Sequence, residues 1–190
     1  MIRTTIAVLA LSLALPAAAA DETYAIDPVH SQPGFEAVHM GGFSRQHGSF
    51  GKMTGKIVLD RAAKKGTVDV LIDATSVKSF DSRLDTILKG ENFFNVDRFP
   101  TLTFRSSNVT FDAERVVAVT GDFTMLGVTK PVTFKVDNFI CGEHPFNKKP
   151  MCGAEATTAI RRSEWGMAYG IPKAVSDEVR ITIPIEAYRE

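Results

Sequence analysis

The sequence predicts an all-β, antiparallel fold with one short helical insertion. Apolar and polar residues alternate with period two in at least six segments of the chain, which places the apolar side chains of each strand on one face. Turn-forming sequences join these segments. One further segment carries apolar residues at the spacing of a helix face.

The first twenty residues predict a cleavable secretory signal peptide. The single charge of Arg3 precedes an apolar stretch at residues 6–15, and three alanines follow at residues 18–20. Secretory signal peptides have the same order of a basic start, an apolar core and a cleavage site of small residues. The apolar stretch is too short to span a bilayer. We therefore expect cleavage after Ala20, a periplasmic location and one domain over residues 21–190.

The composition excludes several classes of protein. The chain has 22 basic and 22 acidic residues and no basic run, whereas nucleic-acid binders need a positive surface that faces phosphates. We therefore expect no nucleic-acid partner. With 44% hydrophobic and 23% charged residues, the composition is that of a globular chain and not of a disordered one.

The predicted strands are defined by their alternating apolar residues. These residues are Ile57 and Leu59; Val68, Val70 and Ile72; Leu102 and Phe104; Val117, Val119, Phe123 and Met125; Val132, Phe134 and Val136; and Val179, Ile181, Ile183 and Ile185. The connecting turns are predicted at residues 60–66, 112–114 and 127–131. The apolar phase changes after Phe104, which predicts a bulge or break at Ser106 and Ser107. Pro184 offers no N–H to a ladder, so we expect it at an edge, a bulge or a strand end.

Six or more strands with one apolar face can be arranged in two ways. They can close into a barrel, which removes the exposed edges, or they can form a two-sheet sandwich. Period-two alternation is the same in both. An eight-stranded barrel has an interior that side chains fill or that holds one small ligand.

The predicted helix follows the strand that contains Val68, Val70 and Ile72. Leu84, Ile87 and Leu88 lie at positions i, i+3 and i+4, on one face of a helix. Ser82 is the predicted N-cap. Gly90 is the predicted left-handed stop.

Two cysteines, Cys141 and Cys152, predict a disulfide. Export into an oxidising compartment favours their pairing, and the intervening segment contains prolines and a glycine, which predicts a loop closed at its base. Closing a loop of this size stabilises the fold by about 3 kcal/mol in the chain-entropy model. A metal or redox pair is the alternative, but the sequence has no further cysteine and no C-x-x-C motif.

The sequence contains no established catalytic or metal-binding motif. Asp27, His30 and Ser31 are the residue types of a hydrolase triad, but adjacent residues of an extended segment point to opposite faces. A local hydrogen-bond cluster is the favoured interpretation. His30, His39 and His47 are spaced nine and eight residues apart, which matches no metal-binding pattern. We predict no catalytic residue, no metal and no cofactor.

Phenylalanine is the unusual residue in the composition. All thirteen phenylalanines lie after residue 20, and a cavity lined by them would take an alkyl or prenyl chain out of water. On composition alone, a β core that uses Phe is the simpler explanation. The residues predicted to contact a ligand are Phe35, His39, Phe43, Phe50, Leu84, Leu88, Phe93, Phe94, Phe104, Phe123, Met125 and Trp165. The candidate donors to a polar head group are His39, Arg83, Lys89 and Arg162.

Several short segments spread over the chain share one resemblance. They are residues 24–31 with Phe35 and His39, residues 48–50 with Gly55, residues 83–85 and Leu88 with Phe93, Phe94, Phe99 and Pro100, residues 121–130 and residues 161–166. Each is weak alone, but their order and spacing resemble the YceI-like family of lipocalin-like periplasmic proteins. The chain departs from that pattern at Ile87, where many relatives carry a histidine.

The resemblance implies an eight-stranded antiparallel lipocalin-like barrel, with a helix-bearing insertion over one end. It implies an apolar pocket for an amphiphile, such as an isoprenoid quinone, a prenyl phosphate or an acyl chain. It does not imply a catalysed reaction. A carrier protein is therefore the leading hypothesis, with transient membrane contact and a homodimer as further expectations. The alternatives are a lipid-directed hydrolase or isomerase that uses the same pocket, and an envelope module that docks a partner.

Overall fold

The computed structural model of the protein describes residues 21–190. The strands are β1 (Glu22–Ile26), β2 (Gly34–His39), β3 (Ser44–Phe50), β4 (Met53–Asp60), β5 (Lys65–Asp73), β6 (Val77–Lys78), β7 (Thr101–Asp112), β8 (Arg115–Met125), β9 (Val128–Glu143), β10 (Pro150–Arg161) and β11 (Val175–Arg189). The helix α1 is Ser82–Lys89, and short 3-10 turns occupy Met40–Gly42, Ala74–Ser76 and Arg162–Trp165. The predicted signal peptide lies outside the described residues.

Eight strands close into an antiparallel barrel, as the resemblance implied. Their order around the ring is β1-β4-β5-β7-β8-β9-β10-β11, and β11 pairs again with β1. At one end β2, β3 and β6 continue this sheet, because β2 pairs with β11 and β3, and β3 pairs with β6. Each continues a ring strand beyond a short break. The fold is therefore an eight-stranded meander with three interrupted strands, and not a two-sheet sandwich.

The break between β1 and β2 is sealed by a buried serine. Strand β11 pairs with β2 as far as Thr182 and with β1 from Ala187. Pro184 lies inside β11 and not at a strand end, but on this side it faces the break, where β11 has no ladder partner, which suits a residue that has no N–H. Ser31 Oγ donates a hydrogen bond to the Glu186 carbonyl (3.1 Å) and accepts one from the Glu186 N–H (2.9 Å). Ser31 thus replaces the missing strand partner.

Strands β7 and β8 contain two register shifts, of which the sequence predicted one. The ladder shifts between Ser106 and Asn108, which confirms the predicted bulge. A second shift makes Val117 the extra residue of β8, because its neighbours pair in register with β7 on both sides. Consequently Val116, and not Val117, is buried at the start of β8. The prediction of Val117 as an inward residue is wrong, because alternation cannot reveal a bulge at a strand's end.

The predicted turn at residues 127–131 is also wrong in extent. Leu126 and Gly127 form a two-residue turn, with φ values of 52° and 74°, and Met125 pairs directly with Val128. Positive φ at both central residues is the signature of a type I′ hairpin turn. Pro131 therefore lies inside β9, in the part of that strand that pairs with β8 alone.

Strand β10 was missed altogether. Its inward residues include Ala156 and Ile160, but alanines and threonines separate them, so no apolar alternation marks the strand. The position of β10 is set by its ladders with β9 and β11, which do carry that alternation. Strands β1, β2 and β3 were not predicted either, because polar and small residues interrupt their apolar positions.

Helix α1 forms where it was predicted, but its two ends differ from the prediction. Asp81, and not Ser82, is the N-cap, since its carboxylate accepts from the Arg83 N–H at 2.9 Å. Gly90 ends the helix with φ of −70°, so it does not adopt the left-handed conformation. Ile87 is half-exposed instead of lying on the buried face. With eight residues, α1 is too short and too polar to cross a membrane, and no other helix in residues 21–190 can do so.

The two ends of the barrel differ, and we name them for what lies there. The helix end carries the β2–β3 turn, residues 79–100 with α1, and residues 162–174. The disulfide end carries the turns at residues 61–64 and 113–114, and the loop at 144–149. Cys141 and Cys152 are paired residues of β9 and β10 and form the predicted disulfide. It closes the base of the predicted loop.

Candidate functional site

The barrel encloses an apolar cavity of about 430 Å³. Its wall consists of inward side chains from the barrel strands, and α1 and the loop after it cover one end. The walls are almost entirely aliphatic and aromatic, because alternate residues of each strand point into the barrel. A cavity of this size and character suits an apolar chain.

Ten of the twelve residues predicted to contact a ligand line this cavity. They are Phe35, His39, Phe50, Leu84, Leu88, Phe93, Phe94, Phe104, Phe123 and Met125. They come from β2, β3, β7, β8, α1 and the loop after α1, so the fold brings together positions that are far apart in the sequence. Whether each of them touches a ligand stays a prediction.

Phe43 and Trp165 lie elsewhere. Phe43 ends the 3-10 turn after β2, where Gly41 and Gly42 have positive φ, and the turn directs its ring into solvent with 95% exposure. Trp165 is buried behind Phe123, in the wall, where its Nε1–H donates to the Phe123 carbonyl at 3.2 Å. Both residues were predicted because they are aromatic and hydrophobic. Neither property determines whether a side chain faces the cavity, lies behind its wall or faces solvent.

Two aromatic clusters shape the cavity. At the helix end the rings of Phe35, Phe50 and Phe94 pack together, with centroids 5.1–5.8 Å apart. Within the ring of strands Phe104 and Phe134 meet edge to face at 5.2 Å. Edge-to-face pairs are favourable beyond the area that they bury. These rings form part of the wall and leave the space between the two clusters open.

Several aliphatic lining residues were missing from the predicted set. They include Val179, Ile181, Ile183 and Ile185 of β11, Val68, Val70 and Ile72 of β5, and Ala156 and Ile160 of β10. The alternation in β5 and β11 identified these side chains as inward-facing. It could not separate core residues from lining residues, because both face the same way.

The cavity meets solvent at the helix end. His39, Gln46 and Asp81 line it and are half-buried, and Tyr169 lines it and is exposed. His39 Nδ1 lies 3.2 Å from Ser44 Oγ at the turn between β2 and β3. The mouth of the cavity is therefore bordered by the β2–β3 hairpin, by the start of α1 and by residues 162–174.

Arg162 adds a buried positive charge beside this mouth. Its guanidinium donates to the carbonyls of Met167, Tyr169, Ser176 and Val175 at 2.8–3.2 Å. Burial lowers the pKa of Arg162, but a guanidinium stays protonated in proteins. All four acceptors are backbone carbonyls, and none of these hydrogen bonds goes to a carboxylate. The group lines the cavity and places a positive charge there, and Asp177 lies near enough to interact with that charge.

The four candidate head-group donors separate into two pairs. His39 and Arg162 line the cavity, and they lie on either side of Val175, which pairs with His39 in the ladder and accepts from Arg162. Arg83 lies on the surface, where its guanidinium bonds to Asp81 at 2.7 Å, and Lys89 is exposed at the end of α1. Ile87 also faces solvent, so the departure from the family pattern falls outside the lining.

The disulfide end of the cavity is closed by polar contacts. The Tyr24 hydroxyl donates to Glu22 at 3.0 Å, and Arg61 lies 3.0 Å from the same carboxylate. Arg61 also approaches Cys152 Sγ at 3.5 Å. Burial, with the Glu22 hydrogen bond, raises the pKa of Tyr24, so the phenol stays neutral. Tyr24 lines the cavity at this end and forms its floor.

The candidate triad is not assembled. His30 Nδ1 bonds to Asp27 Oδ2 at 2.7 Å, but the Ser31 hydroxyl is fully buried and engaged with the backbone of Glu186. The ligand atoms of Asp27, His30 and Glu186 lie within 4.8 Å of one another and are the one such cluster in residues 21–190. The other histidines do not join them. His39 contacts Ser44, and His47 contacts Glu36.

The sequence matches a known family over most of its length. Residues 24–187 match the YceI-like domain. A UPF0312 protein of Ectopseudomonas mendocina is 31% identical over 196 residues, which cover 100% of both chains. A UPF0312 protein of Shewanella denitrificans is 30% identical over 185 residues, which cover 96% of this chain and 95% of the relative.

Solved structures share the fold. Burkholderia cenocepacia BcnA superposes with a TM-score of 0.72 at 22% identity, over 85% of this chain and 98% of that one. A polyisoprenoid binding domain from Saccharophagus degradans, implicated in plant cell wall breakdown, gives 0.64 at 13% identity, over 88% and 98%. At these identities the likeness concerns the fold, and the sequence match carries the assignment. The chain belongs to the YceI-like domain family.

Proposed function

We propose that this protein is a non-catalytic periplasmic carrier that holds the chain of an isoprenoid or similar long amphiphile inside its barrel. The observation that carries the proposal is the cavity of about 430 Å³, which is apolar along its walls and polar at its mouth. Each CH₂ group moved from water into such a wall contributes about 0.8 kcal/mol. An amphiphile with a long chain matches this distribution of apolar and polar groups.

The polar end supports a head group with an exposed oxygen. Arg162 uses four N–H···O bonds, while a guanidinium has five N–H groups. A phosphate, carboxylate or quinone oxygen near His39 would lie in the positive potential of Arg162. The solved structure of the Saccharophagus degradans polyisoprenoid binding domain has the same fold, which supports an isoprenoid chain as the ligand.

The periplasmic location rests on two observations. Residues 1–20 have the composition of a signal peptide, and the chain forms a structural disulfide, which persists in oxidising compartments.

The non-catalytic role is supported by the geometry at Ser31. Its hydroxyl is buried in hydrogen bonds with the Glu186 backbone, and the imidazole of His30 bonds to Asp27 instead.

Trp165 provides a test without added labels. It is the single tryptophan of the chain, and its ring lies 5.7 Å from Phe123, which lines the cavity. A long-chain prenyl phosphate should change its fluorescence in a saturable way, with one molecule bound per chain. A short prenyl phosphate with the same head group is the control and should bind far more weakly. Equal binding of both, or no saturable binding by protein stripped of lipid, would contradict the proposal.

A further inference from the structure

Large apolar side chains are exposed around the mouth of the cavity. Phe43 and Phe80 are 95% and 97% exposed, and Met40, Ile87 and Tyr169 are about half-exposed. These five residues, which we call the apolar rim, come from three separate segments of the helix end. In residues 21–190 the other large apolar side chains with strong exposure are Val29, Leu71, Ile140 and Phe146, and none of them belongs to these segments.

The apolar rim is attached to the segments that border the mouth. Met40 follows the lining residue His39, and its N–H donates to the Ala174 carbonyl at 2.9 Å. Phe80 precedes Asp81, which also lines the cavity. Tyr169 lines the cavity itself and packs against Phe93, with ring centroids 5.8 Å apart. The segments that carry the five side chains therefore border the mouth.

We propose that the apolar rim docks the barrel, mouth first, on a lipid bilayer. Side chains as exposed as Phe43 and Phe80 stand clear of their neighbours and present no continuous flat surface to a folded protein. A fluid interface accepts separate protruding side chains, and aromatic and aliphatic groups partition into it. The occupant of this surface is therefore a lipid membrane and not a second copy of the chain.

The charges near the rim indicate which lipid surface it fits. Residues 79–100 and 162–174 together contain five basic and five acidic side chains. Arg83 bonds to Asp81, and Arg45 of the β2–β3 hairpin bonds to Glu36. The rim therefore lacks the excess of positive charge that drives binding to anionic lipids. Insertion of apolar side chains supplies the attraction, and zwitterionic lipid is sufficient.

Docking in this orientation gives the ligand a dry path. A chain held in the cavity reaches solvent at the mouth, and a bilayer pressed against the rim lets the chain move between membrane and barrel without crossing water. This consequence rests on the proposed function. The docking itself does not, because vesicle binding is measured separately from ligand content.

Vesicle sedimentation tests the docking. The protein is purified as the cell delivers it, with its N-terminus determined by mass, and is mixed with phosphatidylcholine vesicles with and without phosphatidylglycerol. The test variant is Phe43→Ser with Phe80→Ser, and Phe146→Ser at the disulfide end, also strongly exposed, is the matched control. None of these side chains is buried, so all variants should keep the melting temperature of the parent.

We expect the parent and Phe146→Ser to bind both kinds of vesicle with little effect of salt. The double variant should lose at least tenfold in partitioning and in the rate of lipid transfer to vesicles, with its extractable lipid unchanged. Equal binding by the double variant, binding that requires phosphatidylglycerol and disappears in salt, or a parent dimer that the double variant abolishes would each overturn the inference. A parent that carries lipid without binding vesicles refutes docking alone, whereas an empty parent refutes the proposed function.

Discussion

The ring of Phe35 lies directly over Gly48 in the neighbouring strand. A Cβ atom at position 48 would stand 2.2 Å from Cζ of Phe35, a distance at which one of the two groups must move. Phe35 in turn packs against Phe50 and Phe94. The absence of a side chain at Gly48 therefore sets the position of the aromatic cluster that narrows the helix end of the cavity.

Replacing Gly48 by alanine should destabilise the barrel by about 1–3 kcal/mol, since the new methyl group overpacks against Phe35. Gly142→Ala is the control, because a Cβ there meets nothing within 4 Å and that glycine also lies in a strand. Urea unfolding of both variants measures the free energies of unfolding. Equal stability of the two variants would show that Phe35 does not hold its position.

Filling the cavity should remove ligand binding while the fold survives. Ala156 lines the cavity from β10, so Ala156→Phe places a ring in the empty space. Thr157→Phe adds the same ring to the outer face of the strand, because adjacent residues point to opposite sides. Titration of Trp165 fluorescence with a long-chain prenyl phosphate should show at least tenfold weaker binding for Ala156→Phe alone. Full binding by that variant would locate the ligand elsewhere.

Removing the disulfide should loosen one hairpin and leave the barrel closed. Cys141 and Cys152 are already paired in the ladder, so the bond chiefly restricts the loop at residues 144–149 and the unfolded chain. Replacing both by serine should cost about 3 kcal/mol. Hydrogen exchange should accelerate in the hairpin and not in β5 or β7. Faster exchange throughout the barrel would mean that the bond holds the whole sheet.

The Asp27–His30 pair predicts a pH dependence of stability. Their hydrogen bond raises the pKa of His30 above 6.5 and lowers the pKa of Asp27 below 3.8. The stabilisation from His30 is complete below pH 6.5 and is lost as the pH rises through its raised pKa. The stabilisation from Asp27 is present above pH 3.8 and is lost as the pH falls through its lowered pKa.

The pair therefore stabilises the fold most between pH 3.8 and 6.5. The difference in melting temperature between the parent and His30→Gln should be largest in that window and shrink as the pH rises above it. NMR titration should show the pKa of His30 returning toward 6.5 in Asp27→Asn. An unchanged pKa of His30 in that variant would show that the hydrogen bond does not form.

Arg162 should stabilise the segment at residues 162–174, which borders the mouth of the cavity. Lysine keeps the charge but cannot direct a rigid fork of N–H groups at four carbonyls. Each buried carbonyl left unpaired costs about 1–3 kcal/mol, so Arg162→Lys should lower the free energy of unfolding by at least that amount. Arg161→Lys is the control, because Arg161 is exposed. Equal stability of the two would mean that solvent reaches the carbonyls.

The sequence predicted the parts of the fold that its own side-chain pattern encodes. Strands with Val, Ile and Phe at every second position, such as β5 and β11, were recognised because their burial has period two. Strand β10 was not, since Ala156 and Thr157 fit a sheet without marking it. Its place is determined by the ladders to β9 and β11, which are long-range contacts.

The candidate site was predictable in kind but not in detail. Ten of the proposed residues line the cavity, because large apolar residues on inward faces must surround any space in the barrel. Phe43 was misplaced, since a turn through Gly41 and Gly42 reverses the chain before it. The closed end formed by Tyr24 and Arg61 was not anticipated, because it depends on contacts 37 residues apart along the chain.

Mass spectrometry of the organic extract, from protein purified without detergent, shows whether the cavity holds a lipid. We expect a long-chain prenyl or acyl amphiphile in about equal amount to the parent protein, and none in Ala156→Phe purified in the same way. An empty extract from folded parent protein, or the same amount of lipid from both proteins, would contradict the claim that the cavity holds such a chain.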